Sequence, residues 1–236
     1  MSVNYPPERQ EAAASHEFRV ICVKWGDKYD DDYVLKLQAM CARHLPAHEF
    51  VCVTEKPVDG VQCNPLVCDL PGWWQKVGLF QPGLFPGNNL YIDLDVVITS
   101  NLSPFFAALM TDPAKLWTLD DFSYSLRKPK QVSDQIYRTL GGIGTINSSV
   151  MLWRGWHGSE VYRVWETFKP DVMEELHGDQ NHITRALWPD SIRFLPDGFA
   201  QSYKYGQRQK APIVIFHGDP KPADVNDDWV KENWAA

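Results

Sequence analysis

Two aspartates separated by a single leucine are the residues of this sequence best placed to do chemistry together. Asp93 and Asp95 follow the apolar run 90–92 in the segment Tyr91-Ile-Asp-Leu-Asp-Val-Val. Residues i and i+2 of a strand share a face, so both carboxylates are predicted to converge. Two buried carboxylates this close need a neutralising cation, and hard oxygen ligands favour Mg²⁺ or Mn²⁺. The segment predicts a divalent-metal site at the carboxyl end of a strand, where open α/β sheets bind ligands.

The same segment fits two kinds of enzyme. One is a glycosyltransferase, in which a D-x-D motif holds the metal of a nucleotide sugar. The other is a haloacid-dehalogenase-type phosphatase, in which the first aspartate is the nucleophile. The phosphatase motif usually opens its domain, whereas here at least two strands and two helices are predicted before it. The phosphatase alternative would also need a further acidic pair, for which Asp120 and Asp121 are available.

Strand and helix signals alternate along the chain that must position these carboxylates. Strands are predicted at 18–24, 49–54, 66–69, 89–97, 115–119, 146–153, 192–195 and 213–216. Helices are predicted at about 30–44, 73–80, 104–110, 161–168 and 178–187, with a long loop over 120–144. Strands that are apolar throughout and alternate with helices indicate an α/β fold with a mostly parallel, Rossmann-like sheet flanked by helices. We expect a flexible polar segment over 1–17 and a single domain over 18–236.

Composition excludes several classes of protein. A formal charge of −7 over 236 residues disfavours a nucleic-acid partner, because an acidic surface repels phosphates. The five cysteines form no C-x-x-C pair, which predicts reduced core thiols. The start of the chain has no signal-peptide pattern, and no apolar run is long enough for a membrane helix. We therefore expect a cytoplasmic protein without a transmembrane segment.

Fragments from about residue 18 to residue 222 resemble, in order, the retaining glycosyltransferases of family 8, which include glycogenin and lipopolysaccharide galactosyltransferases. They are Val23-Lys-Trp-Gly-Asp-Lys-Tyr29, Trp73-Trp-Gln-Lys-Val-Gly-Leu-Phe80, Asp93-Leu-Asp95, Ile146-Asn-Ser-Ser-Val-Met-Leu-Trp153, Gly178-Asp-Gln180 and Phe216-His-Gly-Asp-Pro-Lys-Pro222. Ser149 stands where the family has glycine after Asn-Ser, and Ala223 where it has tryptophan after Lys-Pro.

The resemblance implies a GT-A, nucleotide-diphospho-sugar transferase fold and a role for each matched residue. The donor is expected to be a UDP-sugar, held with Mn²⁺ (or Mg²⁺), whose hexose passes with retention to a saccharide, glycolipid or other hydroxyl acceptor. Peripheral membrane association through that acceptor is left open. The implied metal ligands are Asp93, Asp95 and His217. The implied uridine contacts are Asp27 and Tyr29. The implied diphosphate contacts are Lys76, Gly218 and Lys221. The implied contacts of the transferred sugar are Asn147, Ser148, Asp179 and Gln180, the last two as catalytic residues.

A third alternative is a non-catalytic nucleotide-sugar-binding protein of the same fold. The complete implied ligand set of Asp93, Asp95 and His217 argues against such a loss of activity. Asp179 also has a structural interpretation, since an aspartate at the start of a helix can act as its N-cap.

Overall fold

The computed structural model describes residues 18–122, 146–188, 190–206 and 211–236. Its strands are β1 (Phe18–Lys24), β2 (Glu49–Thr54), β3 (Gln62–Asn64), β4 (Asn88–Ile92), β5 (Val96–Ile98), β6 (Leu116–Asp120), β7 (Ile146–Arg154), β8 (Ile192–Phe194), β9 (Ala200–Ser202) and β10 (Ile213–Ile215). Its α-helices are α1 (Asp31–His44), α2 (Ser103–Thr111), α3 (Ser159–Glu175), α4 (Asp179–Leu187) and α5 (Asp228–Asn233), with 3₁₀ helices at Gly72–Phe80 and Pro222–Asp224. Within the described residues, no helix is long and apolar enough to cross a membrane.

A seven-stranded sheet in the order β3-β2-β1-β4-β7-β6-β8 forms the centre of the fold. Strands β3, β2, β1 and β4 are mutually parallel, whereas β7 runs antiparallel to both β4 and β6. The carboxyl ends of β1 and β4 therefore lie at the same edge as the amino end of β7, with Ile92 opposite Val150. A second sheet of three strands, β5-β10-β9, lies beyond that edge. The predicted α/β, mostly parallel architecture is confirmed.

The central strands are buried on both faces, which explains their unbroken apolar sequences. In β1, Val20 and Cys22 pack into one hydrophobic cluster with α1 and the small sheet, while Ile21 packs into another with the 3₁₀ helix Gly72–Phe80, α3 and α4. In β4, Leu90 belongs to the first cluster and Tyr91 to the second. The alternation follows from the two-residue period of a strand, and it directs the Tyr91 side chain towards the same side as Lys76.

Helix α1 shows why the sequence signals were reliable where they were strong. Its buried residues recur at spacings of three and four: Tyr33, Val34, Leu37, Met40 and Cys41. Acidic Asp31 and Asp32 occupy the first turn and basic Arg43 and His44 the last, as the helix dipole favours. The backbone becomes extended at Leu45, directly before Pro46, where the helix was predicted to end.

Several predicted elements are wrong or were missed. The long strand predicted at 89–97 is two strands, because the chain turns at 93–95 and enters the small sheet at β5. No strand forms at 66–69; β2 pairs instead with Gln62–Asn64. Strand β9 and helix α5 were not predicted. The helix predicted at 161–168 extends over Ser159–Glu175, with non-helical backbone angles at Phe168.

Two predictions fall largely outside the described residues. These are the flexible segment at 1–17 and most of the loop at 120–144.

Candidate functional site

A cavity of about 600 Å³ opens where β1, β4 and β7 meet. The turn after β1 contributes Trp25 and Tyr29, and the turn after β4 contributes Asp93-Leu-Asp95. The amino end of β7 contributes Asn147, while the 3₁₀ helix and α4 bring further side chains from outside the sheet. Because β1 and β4 end at the edge where the antiparallel strand β7 begins, polar groups from distant parts of the sequence lie close together there.

Asp93 is paired with a lysine that is almost fully buried. Lys76, 7% exposed, places its Nζ 2.8 Å from Asp93 Oδ1. The Tyr91 hydroxyl donates to the same carboxylate oxygen, and the Asp93 amide donates to the Ser149 carbonyl. Burial alone would lower the pKa of Lys76, but the carboxylates of Asp93 and Asp179 raise it above its ordinary value. Lys76 is therefore a fixed positive charge on the cavity wall.

Asp179 reaches the same lysine from helix α4. Its Oδ2 accepts a 2.5 Å hydrogen bond from the Ser148 hydroxyl and lies 3.7 Å from Lys76 Nζ. Lys76 also donates to Ser148 Oγ at 3.1 Å, so the serine joins the two charged groups. Burial raises the pKa of Asp179, opposed by Lys76 and Ser148. The N-cap position of α4 is Gly178, so Asp179 is not the N-cap residue.

Asp95 has a separate set of partners. Lys221 Nζ lies 2.5 Å from Asp95 Oδ2 and also donates to the Phe216 carbonyl at 3.0 Å. The Tyr29 hydroxyl donates to the same carboxylate oxygen at 2.9 Å. Burial and the Asp95 charge both raise the pKa of the Tyr29 phenol, so this group stays protonated. The two aspartates of the D-x-D segment therefore face different lysines.

His217 lines the cavity, and its hydrogen bonding defines its tautomer. Its Nε2 lies 2.6 Å from Ser202 Oγ. Ser202 Oγ already accepts from the amides of Lys204 and Tyr205, so its own proton is donated to Nε2. Nδ1 then carries the imidazole proton. Burial, followed by the charge of Lys204, lowers the pKa of His217 and favours the neutral ring.

Most residues singled out in the sequence line this one cavity. They are Tyr29, Lys76, Asp93, Asp95, Asn147, Asp179, Gln180, His217, Gly218 and Lys221. Ser148 is fully buried behind the wall, where it connects Lys76 to Asp179. Asp27 is not part of the lining; its side chain is 99% exposed and lies 3.9 Å from Lys56.

Sequence reasoning missed several side chains of this wall. Trp25, Trp73 and His177 line the cavity, although no role was assigned to them. Each lies within a few positions of a residue that was assigned a role. Trp25 is near Tyr29, Trp73 is near Lys76, and His177 is near Asp179. That proximity was the available signal. Ser202 gave none, because it contacts His217 only through the pairing of β9 with β10.

The side chains of Asp93, Asp95 and His217 are chemically suited to bind a divalent cation. Two carboxylates and a neutral imidazole on one wall are ligands that Mn²⁺ accepts. In the part of the chain that the structure describes, however, no three carboxylate, imidazole or thiol groups lie close enough to form a metal cluster. Asp93 and Asp95 are instead neutralised by Lys76 and Lys221. Occupation by a cation would require these ion pairs to open and the Ser202 hydroxyl to release His217 Nε2, the ring nitrogen that carries no hydrogen.

The chain is similar to known proteins in structure rather than in sequence. No protein-family model and no curated protein sequence matches the chain. An active-site Gln-to-Glu mutant of the galactosyltransferase LgtC matches with a TM-score of 0.61 at 14% identity, covering 91% of this chain and 93% of LgtC. The glycosyltransferase GlyE of Streptococcus pneumoniae TIGR4 matches at 0.64 and 13% identity, over 92% of this chain and 60% of GlyE. Mouse xyloside xylosyltransferase 1 matches at 0.54 and 11% identity, over 85% and 97%.

These matches cover between 85% and 92% of this chain. All three proteins are glycosyltransferases by name, and two of them are covered almost end to end. Asp120 and Asp121, which the phosphatase alternative would need, are not among the described residues that line the cavity. The chain has the GT-A glycosyltransferase fold of LgtC, as its resemblance to family 8 implied.

Proposed function

We propose that this chain is a metal-dependent glycosyltransferase that moves a hexose from a UDP-sugar to a hydroxyl acceptor with retention of configuration. The observation that carries the proposal is the two-lysine wall. Lys76 and Lys221 converge on one cavity from positions far apart in the sequence, each held by one aspartate of the D-x-D turn. In this fold, such a wall suits a substrate that carries a diphosphate next to a neutral sugar.

The lysines would stabilise the departing UDP. Negative charge develops on the β-phosphate as the glycosidic bond breaks, and preformed cations there act mainly in the transition state. Lys76 is fixed by three partners, so it needs no reorganisation during the reaction. Lys221 forms an ion pair with Asp95. It follows Gly218 in the segment after β10, and Gly218 is an exposed glycine with a φ of +68°. An amide at such a glycine can approach a phosphate closely.

The transferred sugar would lie against Asp179, Gln180 and Asn147. Asp179 is 4% exposed and already hydrogen-bonded to Ser148, which suits it to orient sugar hydroxyls rather than to attack carbon. Gln180 is more open and lies next to it on α4. The LgtC mutant named above alters an active-site glutamine, which supports Gln180 as the equivalent group. If transfer uses a nucleophile on the protein, Gln180 is the better candidate of the two.

We further propose that Asp93, Asp95 and His217 hold Mn²⁺ when the donor binds. Three lysines (28, 76 and 221) and three aspartates (93, 95 and 179) line the cavity, so their charges cancel when all are ionised. A bound cation would supply the additional positive charge that offsets the diphosphate. The residues would contribute two oxygens and one nitrogen, with Ser202 controlling the imidazole orientation.

The uridine is proposed to lie near Tyr29 and Trp25. Both follow β1 and line the cavity, and the Tyr29 hydroxyl donates to Asp95. Because Asp27 points into solvent in the described structure, we expect it to contribute less to base recognition than the aromatic residues. The acceptor class is a saccharide or a glycolipid. All five cysteines are free, and four are buried, which supports a reducing compartment such as the cytoplasm.

The test is calorimetric titration with UDP, with and without Mn²⁺, followed by UDP release from a panel of UDP- and GDP-sugars. The proposal expects tight UDP binding only with Mn²⁺ and slow hydrolysis of at least one UDP-sugar. Asp95→Asn should abolish the Mn²⁺ dependence, whereas Asp27→Asn, outside the cavity lining, should not. Metal-independent UDP binding would contradict the metal assignment. Binding without turnover of any donor would favour the non-catalytic alternative.

A further inference from the structure

Trp73 is an exposed aromatic side chain on the wall of the cavity. It is 53% exposed and stands at the start of the 3₁₀ helix Gly72–Phe80, three residues before Lys76. An aromatic ring on the wall of a concave cavity, beside polar groups, is placed to contact a bound ligand. Neither the lysine wall nor the metal ligands described above make use of it.

Gly178 explains how the indole reaches this position. Its φ of −178° is ordinary extended backbone, so the conformation does not require glycine. A Cβ built on Gly178 would, however, lie 2.6 Å from Trp73 Nε1 and 3.0 Å from Cδ1. The missing side chain therefore lets the indole lie directly against the backbone that leads into Asp179. Trp73 thus lies beside Asp179 and Gln180, two of the three residues proposed to hold the transferred sugar.

A second aromatic ring completes a platform at this position. The exposed His177 ring lies 6.1 Å from the indole, at an interplanar angle of 38°. Gln180 and Asn181 line the cavity next to the two rings. Apolar ring faces beside amide donors and acceptors suit a pyranose, which has C–H faces and equatorial hydroxyls.

The position of the platform favours the acceptor over the nucleotide. Tyr29 donates to Asp95 and so belongs to the Asp95–Lys221 side of the cavity. Trp73 adjoins Gly178 and so belongs to the opposite side, with Asp179, Ser148 and Lys76. Building on the proposed function, we infer that Trp73 and His177 form an acceptor platform that stacks a pyranose ring of the acceptor saccharide.

The test compares Trp73→Ala and Trp73→Tyr with a matched control, Trp156→Ala. Trp156 is 52% exposed and also lies beside a histidine, 4.3 Å from the His157 ring, but it does not line the cavity. Three quantities are measured for each variant: UDP affinity with Mn²⁺, UDP-sugar hydrolysis without acceptor, and saturation of transfer by a panel of methyl pyranosides.

We expect Trp73→Ala to raise the acceptor KM roughly threefold to tenfold, the effect of one lost aromatic contact. UDP affinity and hydrolysis should stay within about twofold of the wild type. Trp73→Tyr should keep most of the acceptor affinity, and Trp156→Ala all of it. An unchanged acceptor KM in Trp73→Ala would overturn the platform. So would a matching loss of UDP affinity, which would make Trp73 a donor contact.

A second measurement does not depend on turnover. Among the indole N–H signals in a ¹⁵N spectrum, the one missing from Trp73→Tyr should shift when methyl pyranosides are added to the complex with UDP and Mg²⁺, a diamagnetic ion that leaves the signal visible. No shift with any sugar of the panel would overturn the platform while leaving the proposed function intact. A wild-type protein that neither binds UDP nor hydrolyses a UDP-sugar would refute the proposed function, and the platform would fall with it.

Discussion

Removing the ammonium of Lys76 should destabilise the folded protein strongly, because it leaves two poorly solvated carboxylates without a counter-ion. Breaking a buried ion pair by deleting one partner costs roughly 3–5 kcal/mol. Asp179 is nearly inaccessible, with 5% of its side chain exposed, but the Asp93 side chain keeps 21% exposure. We therefore expect about 3 kcal/mol for Lys76→Met, at the lower end of that range. For a chain of this length, that loss corresponds to a fall in Tm of about 6–12 °C.

The matched control is Arg185→Met. Arg185 lies 2.7 Å from Glu175, as close as Lys76 to Asp93, but both side chains are more than half exposed. An exposed pair is worth less than about 1 kcal/mol, so the control should change Tm by only a few degrees. The assay is urea unfolding at pH 7, followed by circular dichroism. If both variants lost the same stability, burial of the Lys76 network would not be what makes it important.

The pH dependence gives an independent check of the cause. Burial already raises the pKa of Asp179, and loss of Lys76 removes an opposing charge. The folded variant then keeps a proton on Asp179 to a higher pH than the unfolded chain does, so its stability rises as the pH falls towards the ordinary pKa of an aspartate. The deficit relative to the wild type should therefore shrink at pH 5. A deficit that is constant from pH 7 to pH 5 would refute the electrostatic explanation and favour lost packing of the lysine stem.

Three further predictions concern single side chains. Lys221→Ala should lower kcat about 10²-fold with the UDP-sugar that the wild type uses, because one group that stabilises the transition state is lost. Steady-state kinetics that show a change in KM alone would contradict this. Ser202→Ala should strengthen Mn²⁺ binding to the UDP complex about tenfold, because it removes the hydroxyl that occupies the lone pair of His217 Nε2; Mn²⁺ electron paramagnetic resonance measures the affinity, and an unchanged value would show that Ser202 does not control this nitrogen. Burial lowers the pKa of His182 from 6.5, so its contribution to stability is complete above that pH and is lost as the pH falls below it. The urea midpoint of the wild type should therefore decline between pH 7 and 5.5, and His182→Gln should flatten that decline. An unaltered slope would assign the decline to other groups.

The parts of the fold that could be predicted are those set by local pattern. Strands β1 and β2 and helix α1 were predicted to within a residue, because their burial leaves a continuous or periodic apolar record. The error at 66–69 shows the limit of the same signal. Leu66-Val-Cys68 is apolar, but β2 pairs with the more polar Gln62–Asn64, and the apolar residues pack against the 3₁₀ helix instead. Strand pairing is a tertiary choice that a single segment does not encode.

The candidate site divides along the same line. Residue types with a recognisable spacing, such as Asp93-Leu-Asp95 and Gly178-Asp-Gln180, were found in the sequence and line one cavity. The role of a glycine such as Gly178 could not be found, since its backbone angles are ordinary and its importance lies in the approach of Trp73. A contact between two segments more than 100 residues apart leaves no local trace in either.

The D-x-D turn itself shows how the structure changes the chemistry expected from the spacing. An i, i+2 pair in a continuous strand would present both carboxylates to one cation. The strand instead ends at Ile92, the Asp93 amide donates to Ser149, and the Asp95 carbonyl accepts from Phe216 in the small sheet. Each carboxylate thereby meets its own lysine, 17 residues away for Asp93 and 126 for Asp95.

With the proposed metal and donor bound, this pairing would change. A cation held by the two carboxylates would displace Lys221 from Asp95, and the diphosphate would then be the new partner of the released ammonium. Lys76 would keep Ser148 and Asp179 as partners when Asp93 turned to the cation. Metal and diphosphate should therefore bind cooperatively through Lys221, and each should bind weakly alone. Replacing Lys221 with methionine should weaken UDP binding while making Mn²⁺ binding without nucleotide tighter, since the cation no longer competes with an ammonium for Asp95.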